Sequence, residues 1–253
     1  MHEESVGTAH PTIRLIALLS VLIALPASTA KETKAPTYRI YPLRNGVCKL
    51  AGNHAFHGGD NAETYDYALY LWLIPGGVKQ LPEERTPEAL RRHGIDPAAV
   101  SHVIATHLHA DHYDYFDAFP NAKFVVNRRE YEEAKAHIAP DVRSALSKRP
   151  EALQLVENDE IVPGVRVFPL GCHSTGSQGV LVQTHMGPAV LAGDVVYKYE
   201  NIEKDRPARS PDESACRQTM AKIRPLADIV VPGHDPLTLT RWPDGLIGAK
   251  PSD

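Results

Sequence analysis

Short apolar runs bounded by turn residues outnumber stretches with helical spacing along this chain. Tyr67 to Ile74 is an aromatic and apolar run closed by Pro75-Gly76-Gly77, which predicts a buried strand. Ser101-His102-Val103-Ile104-Ala105-Thr106, Lys123 to Val126 and Asp228 to Val231 read the same way. Ile161 to Phe168 is expected to form a hairpin. Gly179 to Thr184 and Ala189 to Ala192 should form another, turning at Met186-Gly187-Pro188. Tyr38 to Leu43 and Val47 to Leu50 look like short strands joined by an Asn45-Gly46 turn. Helical signals are fewer. Thr86-Pro87-Glu88 should open a helix that closes near Gly94, and Asn127 should cap one running to about His137. Asp141 to Ser147 and Asp212 to Ile223 complete the set. Strands and helices recur throughout, so a layered α/β sandwich fits better than an all-β barrel.

Composition narrows the picture. Hydrophobic residues make up 43% of the 253, enough for a sizeable core, and the formal charge of −4 gives no basic field for nucleic acid. Leu15 to Leu25 is an apolar run after Arg14, followed by Pro26 and the small residues Ala27 to Ala30. That pattern predicts a signal peptide over residues 1–30, cut after Ala30, with the working domain over 31–253. The protein is then expected to be periplasmic or secreted, without stable membrane insertion after cleavage. An uncleaved N-terminal anchor is the alternative, because Met1 to Ile13 carries no Lys or Arg. Cys48, Cys172 and Cys216 are odd in number and form no C-x-x-C pair, so no disulfide framework is expected and Cys172 reads as a buried structural thiol.

The chemistry concentrates in Thr106-His107-Leu108-His109-Ala110-Asp111-His112. Ligands at i and i+2 share a side at a strand end or in the loop after it, not on a helix. Imidazoles and a carboxylate this dense suit zinc. The loop alone leaves a coordination shell incomplete. His173, Asp194 and His234 each follow an apolar strand at a small-residue turn, where a ligand can reach a cation without a bulky neighbour.

With Gly171-Cys172-His173-Ser174-Thr175-Gly176-Ser177-Gln178, Ala192-Gly193-Asp194-Val195-Val196-Tyr197 and Pro232-Gly233-His234-Asp235, these motifs resemble the metallo-β-lactamase superfamily from about Tyr38 to Pro236. Within it they look most like the N-acyl homoserine lactone lactonases. The resemblance implies an αββα sandwich. One metal would take His107, His109 and His173, the other Asp111, His112 and His234, with Asp194 between them. Two Zn2+ are expected, other divalent metals being alternatives. A hydroxide shared by the metals would attack a lactone carbonyl, with one metal and the Tyr197 hydroxyl holding the oxyanion and Asp111 passing a proton to the leaving alkoxide. Ser174 and Cys172 would be turn and packing residues. The loop Asn53 to Gly59 would overhang the site, making Phe56 a candidate to meet an acyl chain. His54 and the remaining histidines are read as surface or core residues.

One departure stands out. The family carries another strand, ending in an Asp-Thr-Gly-like turn, between the strand matching Tyr67–Ile74 and the next helix. Here Ile74 leads almost directly to Thr86, with no Asp between Tyr67 and Arg92. The sheet is therefore expected to lack a strand, and a carboxylate behind the metal loop is missing. Alternatives to a lactone or ester hydrolase are a thioester, β-lactam or phosphodiester hydrolase of the same fold, and a metal-binding protein impaired in catalysis by the missing strand.

Overall fold

Alternation along the strands builds two sheets that bury one face against each other. The computed structural model describes residues 20–24, 36–75, 90–91, 95–109, 112–113, 116–242 and 246–249. The first sheet contains β1 (Ser20–Ala24), β2 (Tyr41–Ala51), β3 (Thr64–Pro75), β4 (Val100–Ala105), β5 (Lys123–Asn127) and β6 (Leu153–Val156), in the order β2-β3-β1-β4-β5-β6. The second contains β7 (Glu160–Val162), β8 (Val165–Pro169), β9 (Gln178–Thr184), β10 (Gly187–Leu191) and β11 (Ile229–Val231), in the order β11-β10-β9-β8-β7.

Period two explains the layers. Trp72 and Ile74 on β3, Ile104 on β4 and Val125 on β5 face Val167, Val180, Val182 and Leu191 of the second sheet in one buried cluster. The intervening Leu73, Val103, Phe124 and Val126 turn outward and pack with Phe116, Phe119, Val142 and Leu146. On the far side, Val190 and Ala192 meet Met220 and Ile223 of the helix Glu213–Ile223. The result is the expected αββα sandwich. Among the described residues no helix is long and apolar enough to cross a membrane.

Three differences from the sequence reading bear on the site. Residues 41–51 form one strand rather than a hairpin. β2 pairs antiparallel with β3 from Tyr41↔Leu73 to Ala51↔Thr64, and Asn45-Gly46 only interrupts the register between Arg44 and Gly46. A long partner strand outweighs a local turn preference, leaving a bulge. The helix expected from Thr86 lies outside the described residues apart from Leu90 and Arg91.

The third difference concerns the missing strand. Its slot between β3 and β4 is taken by β1, which belongs to the stretch expected to be the apolar part of a signal peptide. β1 runs parallel to β3 (Val21↔Trp72 to Ala24↔Pro75) and antiparallel to β4 (Ser20↔Ala105, Val21↔Ile104, Leu22↔Val103). Backbone groups of β3 and β4 that lie deep in the sandwich thereby find partners, which an open slot would deny them.

Candidate metal centre

Four strand ends meet at one edge of the sandwich. β10 is parallel to β11, and β8 and β10 both pair antiparallel with β9, so β8, β10 and β11 all release their following residues on the same side. β4 is brought to that edge by Gln178 at the start of β9. Its backbone N–H donates to Thr106 O at 2.8 Å and its side-chain amide to Ala105 O at 2.8 Å. Past these ends stand His107, His109 and His112, then His173, Asp194 and His234.

Six of the seven candidate ligands from the sequence are placed, and they fall into two groups that share a carboxylate. His107, His109, His173 and Asp194 form one, and His112, Asp194 and His234 the other, with the donor atoms of each group within 4.8 Å of one another. Asp111 lies outside the described residues. His109 Nδ1 stands 3.0 Å from His107 Nε2 and 2.9 Å from His173 Nε2. Asp194 Oδ2 is 3.4 Å from His173 Nε2 and 3.8 Å from His107 Nε2, while Oδ1 is 2.8 Å from His234 Nε2 and 3.3 Å from His112 Nε2.

These separations test whether the residues fit a metal. A tetrahedral zinc with bonds of about 2.0–2.1 Å places its donors roughly 3.3–3.4 Å apart, within the spread seen. Hydrogen bonding alone serves the cluster poorly. A neutral ring nitrogen either donates or accepts one bond, yet His109 Nδ1 faces two other ring nitrogens at once. A cation among them would satisfy all three. The donor set fits.

Protonation states point the same way. Burial and then the neighbouring His112 push His107 well below the ordinary imidazole range, despite the opposing pull of Asp194. Burial also lowers His173, with Asp194 again opposing. For Asp194, burial works to raise the pKa, but His112, His234, His107 and His173 outweigh it and hold the carboxyl well below the usual range. Neutral imidazoles around an ionised carboxylate are what a metal requires.

The ring faces are set from behind. His234 Nδ1 donates to Ala68 O at 2.9 Å, leaving Nε2 toward Asp194, and His173 Nδ1 lies 3.3 Å from Arg209 O. The turn that presents Asp194 needs glycine before it: Gly193 has φ +52°, and a Cβ there would lie 2.8 Å from Thr106 Oγ1. Cys172 also takes a left-handed φ, +76°, uncommon for a residue with a Cβ. Contrary to the sequence reading, it is no buried thiol. It forms a disulfide with Cys216, 44 residues on, which ties the His173 loop to the helix Glu213–Ile223.

Above the cluster opens a cleft of about 540 Å3, lined by Leu50, His54, Tyr67, Tyr197, Arg209, Ser210 and Pro211 together with His109, His173 and Asp194. Tyr197 Oη lies 3.4 Å from His173 Nδ1, and its ring meets Tyr67 edge-on at 5.2 Å. Tyr67 in turn stacks on His234 at 4.5 Å. Phe56 does not line the cleft. It is fully buried in a cluster with Tyr67, Tyr197 and Ala208, and the Arg206 guanidinium lies 4.0 Å over its ring. Its apolar ring gains more from that packing than from the cleft surface. His54, read from the sequence as a bystander, lines the cleft instead. Its position two residues before Phe56 was the available signal.

A profile of the metallo-beta-lactamase superfamily matches residues 64–234, well over half of the chain. An N-acyl homoserine lactonase of a Bacillus species is 31% identical over 163 residues, covering 62% of this chain and 64% of that protein. The first curated relatives are thus matched over less than two thirds of their length. Metallo-beta-lactamase domain-containing protein 1 of Xenopus laevis is 30% identical over 209 residues, 79% of this chain and 80% of that one. Among solved structures, a quorum-quenching N-acyl homoserine lactone lactonase superposes with a TM-score of 0.66 at 21% identity, covering 81% of this chain and 95% of the other. The lactonase AidC, described as dizinc, gives 0.60 at 17% identity over 92% and 95%.

Proposed function

Since this chain belongs to the metallo-beta-lactamase superfamily, we propose that it is a metal-dependent hydrolase that opens the ring of N-acyl homoserine lactones or similar lactones and esters. The observation that carries the reading is the pair of donor groups sharing Asp194 beneath a cleft that also holds Tyr197. His107, His109 and His173 with Asp194 would hold one cation. His112 and His234 with Asp194, joined by Asp111, would hold the other. Imidazole dominates the set, which favours zinc. Bound divalent cations supply Lewis acidity and water ionised near neutral pH.

The chain's own groups do the remaining work. The Tyr197 hydroxyl, at the wall of the cleft beside His173, donates to the carbonyl oxygen, which gains charge as the carbonyl carbon becomes tetrahedral. Asp111 would take the proton given up by the attacking water and pass it to the leaving alkoxide. Leu50, Tyr67 and Pro211 offer apolar surface to an acyl chain, and the exposed Arg209 and the ring of His54 offer polar contacts at the same cleft.

Relatives and solved neighbours named as acyl homoserine lactonases support the substrate class. One observation favours a second reading, hydrolysis of another ester or thioester: the longer match is to the Xenopus protein, whose name states no substrate. Proton release on a short-chain and a long-chain acyl homoserine lactone, with metal content measured on the same sample, separates the two. Turnover of both lactones is expected. Metal-loaded protein that opens neither would overturn the lactonase reading.

A further inference from the structure

Glu130 is a buried acid that the catalytic proposal leaves unused. It sits in the first turn of the helix Arg128–Ala134, whose start is capped by the Asn127 side chain accepting from Arg129 N at 2.9 Å. Only 4% of the residue is exposed. Its carboxyl group spans two loops. Oε1 accepts from Leu108 N at 2.8 Å, and Oε2 accepts from Ser174 Oγ at 2.8 Å and from Gly176 N at 3.0 Å. Leu108 lies between His107 and His109, and Ser174 directly follows His173. The loop reaches Glu130 at Gly176, where a Cβ would overlap the Glu130 backbone.

We infer that Glu130 is a positioning residue, which sets the spacing of the His107, His109 and His173 imidazoles and with it the affinity of that group for its metal. The inference rests on the metal reading above. The physical reason is that the three rings come from two loops, 64 residues apart in the case of His109 and His173. Gln178 joins the two loops at their bases, through Thr106 O and Ala105 O; nearer the ligands a further tie is needed. One carboxyl group bonded to both supplies it, and three accepted bonds fix it in turn. The bonds that Glu130 accepts reach the loops carrying His107, His109 and His173, whereas His234 of the other group follows β11. The effect should therefore be lopsided. Partners that orient metal ligands typically change metal affinity 10- to 100-fold when removed.

The test uses the full chain, stripped of metal and titrated with Co2+ under chelator competition, following the cobalt absorption bands. Wild-type protein is expected to take two equivalents. Glu130→Ala should lose about 10- to 100-fold in affinity at one equivalent and little at the other. Glu130→Gln keeps the shape and the bond from Leu108 N but presents an amide where Ser174 and Gly176 need an acceptor. It should show the same one-sided loss, smaller, and it carries the test if the alanine variant fails to fold. Two equivalents bound as tightly by Glu130→Gln as by wild type would overturn this inference alone. So would an equal loss at both equivalents, which a merely structural role would produce. Wild-type protein that takes up no Co2+ would overturn the metal reading and this inference together.

Discussion

Asp194 Oδ1 stands 2.8 Å from His234 Nε2, while the other oxygen of the same carboxylate faces His173 Nε2 at 3.4 Å. One side chain thus belongs to both donor groups. Replacing it with Asn removes a charge from each. Asp194→Asn is expected to bring metal content, measured by elemental analysis, from about two ions per chain to well below one. His234→Ala should remove only one. Equal stoichiometry in both variants would argue against a shared ligand.

Tyr197 separates a chemical role from a packing role. Tyr197→Phe keeps the ring against Tyr67 and removes the hydroxyl near His173. Loss of one oxyanion donor costs about 10²–10³ in rate where that donor acts alone. With a metal sharing the load, kcat on a lactone should fall on the order of tenfold, with metal content and melting temperature unchanged. A Phe variant with full activity would leave Tyr197 as a packing residue.

The Cys172–Cys216 bond closes a loop of 44 residues. In the chain-entropy description such a link contributes about 4 kcal/mol. Alkylation of unreduced, unfolded protein should modify Cys48 and no other cysteine, as read by mass spectrometry. Cys172→Ala with Cys216→Ala should lower the melting temperature and loosen metal retention through the His173 loop. Three alkylated cysteines without reductant would show that the bond does not form.

β1 and the expected signal peptide make opposite demands on the same residues. A disulfide fits an oxidising compartment, and export remains our proposal, but a cut after Ala30 would remove Ser20 to Ala24 from between β3 and β4. If β1 is part of the working protein, deleting residues 1–30 should lower the melting temperature and weaken metal binding, since Ser20 pairs with Ala105 two residues before His107. N-terminal sequencing of active protein should then find a start upstream of Ser20. Active protein that begins at Lys31 and melts as the full chain does would rule this out.

Strands β3 to β5 and β7 to β11, the helix from Asp212 and the motifs that follow β4, β8, β10 and β11 were legible in the sequence, whereas β1 and β6 were not legible as strands and β2 looked like a hairpin. Each legible feature depends on a short-range signal: period-two alternation, a capping side chain, or a ligand placed just past an apolar run. The resemblance carried by those motifs led to the sandwich architecture and to the residues that gather at its edge. What lay beyond the sequence involves partners far apart along the chain. The bulge at Asn45-Gly46 forms because β3 runs the length of β2, and β1 fills a slot whose edges lie some fifty to eighty residues away. Cys172 finds Cys216, Glu130 finds Leu108 and Ser174, and Phe56 turns inward while His54 reaches the cleft. Local pattern sets what each segment is. Which segments meet depends on closing long loops and satisfying buried polar groups, and that is decided only when the whole core assembles.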